Sequence, residues 1–529
     1  MQRAFTSSTA RAALLVTLVA AILVLPRLGH RQIVSTHEAV YPMVARDMLA
    51  RGAWLSAELR GDPYRYKPPL YPWIIAALSW PGGRVTETTA RLPGAVAVIG
   101  AVLVTFLLGA RLFGHRAGLW AALILITSVL FFDHAMVSIP DVPMVFVGLL
   151  AGLALWSVGT GGGRRAVLAF WIAIALGVFL KHFSGLLPLA VALVWLGLDG
   201  DRRALRRLMW WPGLAVFLVV TAAWLLLFTR GGAGRFATEV VWGDWLRQHV
   251  GGPRLGSLVG ELAYGVIGFL PWTLVFPLAL AAAIRARRDR AVAFALWWLL
   301  VPALFIFAMQ QQRIRYLLPL FPGAALLVAW WADREAAGSA RRHAPLALIS
   351  LAASIAGAIA VPAALRAAGI ILPVARWELA LLLLGVVVLG VVAAAGFWTR
   401  RIEATVPAVA AITAALLLGG GWVVDEWQNR AWNFRGVARD LDKSARPLAV
   451  AALATDNQEL LQVDFYLGRP LPTLRSPGAV SAHLTDGQGA VVVEDLRWRS
   501  ARQWLPLDVN RLRADAIGAG VIVVSDGAR

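Results

Sequence analysis

The chain has 529 residues, of which 59% are hydrophobic and 15% charged, with a formal net charge of +20, a mean hydropathy of +0.68 and no cysteine. This composition excludes a small soluble domain, a disulfide framework and thiolate chemistry. The excess of positive charge does not define a nucleic-acid binder, because the basic residues stand in short segments between apolar runs and not on one soluble face.

Apolar runs long enough to cross a bilayer recur from Ala12 almost to Val424. In chain order they predict about thirteen spanning helices, at 10–28, 90–110, 117–136, 142–158, 166–180, 184–198, 209–229, 262–284, 291–308, 316–332, 345–366, 378–397 and 404–423. The first run continues into Pro26-Arg27-Leu28 without a small-residue cleavage site, so it reads as a span and not as a signal-peptide core.

Every second connection is basic: Arg111 and Arg116, Arg164 and Arg165, Arg202 to Arg207, Arg285 to Arg290, Arg334 with Arg341 and Arg342, and Arg400 with Arg401. Such loops face the cytoplasm. The N-terminus then lies inside, and an odd number of spans carries the C-terminal segment outside. Gly148 to Gly152, within the fourth span, reads as a helix-packing stripe.

Charge on the outward side has no such topological reason. The first outward loop, 31–91, is too long for a connector. It reads as an amphipathic helix around Glu38 to Leu49, a turn at Gly61-Asp62-Pro63 and a second helix after Pro68-Pro69, with Trp54, Tyr64, Tyr71, Trp73 and Trp80 suited to a membrane interface. The second runs from Asp133-His134 to Asp141, and Lys181-His182 adds a further outward cation. The third carries Glu239, Trp242, Asp244, Trp245, Arg247 and His249, and the fourth is Gln310-Gln311-Gln312-Arg313-Ile314-Arg315-Tyr316. Carboxylates and cations gathered in one external cavity suit group transfer from an anionic leaving group: Lys and Arg stabilise the departing phosphate while a carboxylate orients or activates the nucleophile.

The residues that carry this charge also carry a resemblance. Glu38-Ala39-Val40-Tyr41, then Gly61-Asp62-Pro63-Tyr64-Arg65-Tyr66-Lys67-Pro68-Pro69-Leu70, Asp141-Val142-Pro143-Met144 and Arg315-Tyr316-Leu317-Leu318-Pro319 resemble motifs of the ArnT-like and protein O-mannosyltransferase-like enzymes. The resemblance implies a GT-C fold, a polytopic helical membrane domain followed by a small α/β domain. It further implies an inverting glycosyltransferase that takes a pentose, aminopentose or hexose from a polyprenyl monophosphate. The acceptor would be lipid A, another glycolipid or glycan, or a protein, outside the cytoplasmic (inner) membrane.

Under this resemblance Lys67 holds the donor phosphate with Arg315, Tyr316 and Arg247, while Glu38 and Asp141 are the acidic members and His37 a candidate base or ligand. His37 stands where the family commonly has Asp, Tyr66 where it often has Glu, and Trp245 near a family His. No cofactor is therefore assigned, and a divalent metal is left open. A polytopic transporter or lipid-linked-sugar flippase is the alternative, but paired interrupted spans are absent from the two halves of the sequence, and ionisable residues cluster outside the spans.

From Asp425 onward the apolar runs shorten. The reading is a transmembrane catalytic domain over 1–424 and an exported α/β domain over 425–529. In the latter, strands are expected at 448–453, 491–494 and 521–524 and helices at 434–441 and 501–505, and Phe465-Tyr466-Leu467-Gly468-Arg469-Pro470 resembles a recurring piece of the family's exported domains.

Overall fold

A computed structural model describes residues 7–52, 54–55, 57–64, 67–198, 201–230, 255–309, 313–337, 376–399, 401–444, 446–451, 460–485, 489–494, 498–499 and 512–526. The expected span 345–366, the helix at 501–505, Arg247 and the rest of the third outward loop up to residue 254 lie outside these. The chain forms two compact units. The first comprises Met1–Pro26, Arg65–Leu70 and Pro93–Val423, and the second Arg27–Tyr64, Tyr71–Leu92 and Val424–Arg529.

The first unit is helical. Among the described residues, six helices are long and apolar enough to cross a membrane, or eight if each of two bent pairs is one span. Each expected span other than 345–366 falls on one or two helices. The difference in number has local causes. Two expected spans merge into the broken run Arg164–Leu198, and the one at 262–284 is split by a turn at Trp272–Leu274. The helix over the span expected at 316–332 is Leu320–Ala337, which ends in Asp333, Arg334 and Glu335. Exposed Leu14, Leu18 and Ile22 on Ser7–Val24 give that helix a lipid-compatible face. The chain is a multi-pass membrane protein.

The break within 164–198 positions two charged groups and follows from backbone geometry. The helix Arg164–Lys181 ends where His182 takes φ +50°, a left-handed conformation costly for a residue with a Cβ, and a 3-10 turn, His182–Leu186, leads into Leu187–Leu198. The reversal brings two glycine backbones together: a Cβ on Gly185 would lie 2.2 Å from the carbonyl carbon of Gly177. Gly152, of the stripe read as packing, lies against Trp298, whose ring a Cβ there would meet at 2.7 Å. That indole belongs to an aromatic column in which Phe294 stacks on Trp298 and meets Trp195 edge-on.

In the second unit, Ser35 caps the helix Thr36–Arg51 by accepting from the Glu38 N–H at 3.2 Å, and Gly52 closes it at φ +66°. A hairpin follows, β1 (Glu58–Leu59) against β2 (Asp62–Pro63), and its two-residue loop is Arg60-Gly61, both with positive φ. This is the loop geometry whose twist matches paired strands, and it sets the turn one residue earlier than the sequence suggests. The helix after Pro68-Pro69 is Leu70–Ser79.

The C-terminal part of this unit adds β3 (Leu448–Ala451), β4 (Thr473–Leu474), β5 (Ala490–Glu494), β6 (Leu512–Gly518) and β7 (Val521–Asp526). They form one sheet in the order β4-β3-β5-β7-β6, with β3 parallel to β4 and β5 and with β7 antiparallel to its neighbours. Alternation along the strands buries both faces. Val450 and Val492 pack with Phe434, Val437 and Leu441 of the helix Phe434–Asp442, whereas Val491, Val493, Ile522 and Val524 pack with Val480 and Leu484 of the helix Pro477–Thr485.

The Gly177–Gly185 contact generates a test. Gly185→Ala is expected to cost about 1–3 kcal/mol, because overpacking must separate two backbones. Thermal unfolding in detergent should show a lowered midpoint. Gly148→Ala, whose new Cβ would meet Pro188 at an ordinary 3.7 Å, should change it little.

Candidate functional site

The charged cluster of the first unit is built on three chain breaks. Asp141 begins the helix Asp141–Gly159 directly after Pro140, where the helix dipole favours a carboxylate, and it is 2% exposed. Lys181, the last residue of its helix, places Nζ 2.5 Å from Asp141 Oδ1. Arg315, on the 3-10 turn Ile314–Leu317, brings Nε to 3.8 Å from the same oxygen. Tyr316 presents its ring to both cations, 4.7 Å from Lys181 Nζ and 5.6 Å from the Arg315 guanidinium carbon.

Two cations on one buried carboxylate form a net positive group, and a buried charge is tolerated only where others compensate it. An ammonium carries three donors and a guanidinium five, and Asp141 engages only part of them. The aromatic face restrains both cations without consuming a donor. Lys67, half-buried, belongs to this unit and, with Lys181, lies close enough to act electrostatically on the His182 ring. His134 acts likewise on Asp141, and its Nδ1 is 3.0 Å from the Leu130 carbonyl. The arrangement is a cationic cluster against an aromatic face, with donors to spare for an oxyanion.

One turn inward from the cluster, the side chains become apolar. Met144, Gly148, Gly177, Pro319 and Trp298 line a narrow cavity of about 30 Å³. Met144 lies three residues after Asp141 and Gly177 four before Lys181, each on the same helix as the charged residue, and Pro319 lies just past the turn that carries Arg315 and Tyr316.

Thus, among the residues expected from the sequence, Asp141, Arg315 and Tyr316 are brought together, and Lys67 shares their unit. Glu38 and His37 belong to the second unit. His37 is exposed on the first turn of Thr36–Arg51. Glu38 is 2% exposed and binds Arg91, whose Nε and Nη2 each lie 2.8 Å from Oε1. Arg91, itself fully buried, also donates to the carbonyls of Leu28 at 3.0 Å, Arg31 at 2.5 Å and Gln32 at 3.1 Å. Arg247 and Tyr66 are outside the described residues. Among the described residues, no three His, Cys, Asp or Glu side chains come together in a way that could hold a metal ion.

The sequence reading gave Lys181 little weight and missed Arg91 and His134. The signal for Lys181 is a lysine at the outward end of a span, against the charge rule for orientation. For Arg91 it is an ionisable residue at the edge of an apolar helix, which needs partners wherever it is buried.

Comparison with known proteins bears on the fold. Residues 66–226 match the family model described as dolichyl-phosphate-mannose-protein mannosyltransferase. The undecaprenyl phosphate-alpha-4-amino-4-deoxy-L-arabinose arabinosyl transferase of Pseudomonas aeruginosa is 30% identical over 304 residues, 55% of this chain and 54% of that protein. The chain thus spans about half the length of the curated relatives it matches. Among solved structures, ArnT from Cupriavidus metallidurans bound to undecaprenyl phosphate superimposes with a TM-score of 0.78 over 98% of both chains, at 20% identity. The Archaeoglobus fulgidus oligosaccharyltransferase does so with a TM-score of 0.55 over 96% of this chain and 72% of its own, at 12% identity. The fold is therefore that of the GT-C membrane proteins. Within that class, the chain is similar in fold to ArnT over 98% of its length.

Breaking the Glu38–Arg91 pair tests its weight. Glu38→Gln leaves a buried guanidinium short of charge, a change that costs roughly 3–5 kcal/mol, so the unfolding midpoint in detergent should fall clearly. Lys67→Ala should leave it nearly unchanged.

Proposed function

We propose that the protein is a membrane glycosyltransferase that passes a sugar from a polyprenyl monophosphate to an acceptor outside the cytoplasmic membrane. The observation that carries this reading is the cluster of Lys181, Arg315 and Tyr316 around Asp141, with Lys67 in the same unit. A sugar leaving a phosphate monoester carrier builds negative charge on the departing phosphate. Fixed cations stabilise that charge more strongly than they do the bound donor, and this difference lowers the barrier. Tyr316 and Asp141 preorient Lys181 and Arg315, so little reorganisation is needed as the charge develops.

In this proposal Lys67 and Arg315 hold the carrier phosphate, Tyr316 walls the pocket, and Arg247 joins them from the third outward loop. Asp141 sets the cations in place and can orient the nucleophile. Glu38 and His37 belong to the second unit, where the Glu38 carboxylate is engaged by Arg91, and this proposal routes no proton transfer through them. The prenyl chain enters laterally between the helices. The N-terminus is cytoplasmic, residues 425–529 lie on the acceptor side, and the membrane is the inner one. Lipid A, another glycolipid or glycan, and a protein remain acceptor candidates of equal standing. The names of the relatives, which specify undecaprenyl phosphate and an aminoarabinose, support the choice of a polyprenyl phosphate donor.

Mass spectrometry of polyprenyl-phosphate lipids tests the reading in a strain lacking the protein. One polyprenyl monophosphate sugar should accumulate and be cleared by the intact protein, but not by Lys67→Ala or Arg315→Ala. Each variant should lose at least about a hundredfold in kcat/KM with its unfolding midpoint kept, the scale of a lost oxyanion contact. An unchanged lipid pool would refute the donor, and full activity of both variants would refute the site.

A further inference from the structure

The second unit holds an open cavity of about 650 Å³, lined by Arg60, Asp62, Leu471, Thr473, Arg475 and Ser476 among others. It lies beside the short edge strand β4 and the N-terminus of the helix Pro477–Thr485. Beneath its wall is a group of charges with too few acceptors. Leu471 N–H donates to Asp464 Oδ1 at 3.3 Å, and the other oxygen of Asp464 takes Arg60 Nε at 2.6 Å. Asp47 Oδ2 accepts from the Arg60 backbone N–H at 3.2 Å, and Arg46 Nη1 donates to the Asp464 carbonyl at 2.8 Å. Backbone donors therefore occupy part of the carboxylate capacity. Nη1 and Nη2 of Arg60 and Nη2 of Arg46 are buried without a hydrogen-bond partner among the described residues, and the Arg60 side chain is 2% exposed.

Burial without a partner is costly for a guanidinium N–H. Burial also raises the carboxyls of Asp47 and Asp464 above their usual range, against the pull of Arg46 and Arg60 respectively, so the group has no surplus of negative charge. At the rim, Arg475 pairs with Asp62 through Nη2, which leaves the rest of its donor fork. The Ser476 oxygen accepts the Ala479 N–H at 3.1 Å, so its own O–H can donate, at a helix end whose dipole favours an anion. Arg60 adopts its inward path from a left-handed backbone, φ +58°. Strain of this kind persists only where the surrounding structure maintains it.

We infer that this cavity is a second anion site, which binds a phosphate group through Arg60, Arg475 and Ser476, residues other than those of the cationic cluster in the first unit. The phosphate belongs either to a lipid headgroup or to free phosphate. The inference does not require that the chain transfer a sugar, and its test reads binding alone.

Full-length protein in nanodiscs, carrying Lys67→Ala to weaken the first site, is titrated calorimetrically with inorganic phosphate. Binding should weaken as salt rises. Arg475→Gln should reduce affinity about tenfold, the worth of one charge-assisted contact, and Arg60→Lys should do the same because an ammonium cannot supply the fork. Ser476→Ala should reduce it less. Arg475 is 59% exposed, so its variant should keep the unfolding midpoint even if Arg60→Lys does not. No binding in the Lys67→Ala protein, or affinity unmoved by Arg475→Gln, would overturn the inference. Nanodiscs doped with a phosphorylated glycolipid or its dephosphorylated form separate the sources: competition by the phosphorylated form alone assigns a lipid headgroup, and competition by neither assigns free phosphate.

Discussion

Burying a guanidinium is costly unless acceptors meet it, and much of the second unit is arranged around that cost. Arg91 has three carbonyls and one carboxylate about it, so residues Leu28 to Gln32 must curl over the start of the helix Glu87–Phe113 and Glu38 must turn inward. Arg27 with Asp425 and Arg60 with Asp464 repeat the demand and draw residues from far along the chain into the same unit. Removing one partner from such a pair costs more than the pair itself contributes. The first loop and the C-terminal residues are therefore best understood as one folded body. Tyr466 fits the same logic: its hydroxyl accepts the Ile33 N–H at 2.7 Å, and burial raises its pKa well above the usual phenol range.

The first unit uses charge differently. Its buried carboxylate, Asp141, is matched by more positive charge than it needs, and the excess is held against an aromatic face. In the second unit, Glu38 is engaged within a pair that also fixes the backbone. This contrast separates two acids that look equivalent as sequence. Changing either acid removes a partner from a buried pair, so a loss of activity at Glu38 or at Asp141 must be read beside stability.

Much of this was legible in the sequence where a local rule applies. Apolar runs located the helices, Gly and Pro marked the turns, and short β-branched runs located β3, β5 and β7. Asp141, Arg315 and Tyr316 stood out because outward charge has no topological reason. What was not legible depends on contacts between distant residues. No local pattern states that Arg91 reaches Glu38, that Lys181 accompanies Asp141, or that most of residues 27–92 belong with residues beyond 424. The edge strand β4 was missed because two residues flanked by Pro472 and Arg475 carry no alternation to read. The break at His182 was visible only as a gap between two apolar runs, since a left-handed histidine is a tertiary outcome.

The separation between partners also has a consequence for how the chain is made. Arg27 and Asp425 are 398 residues apart, and Arg60 and Asp464 are 404 apart. At a synthesis rate of about 5–20 residues per second, the first loop emerges roughly 20–80 s before its counterparts exist. During that interval Arg27 and Arg60 must remain hydrated or be shielded by other factors, whereas Arg91 and Glu38 already have one another. A ribosome stalled before Asp425 would leave a membrane-inserted chain whose first loop lacks half of its partners.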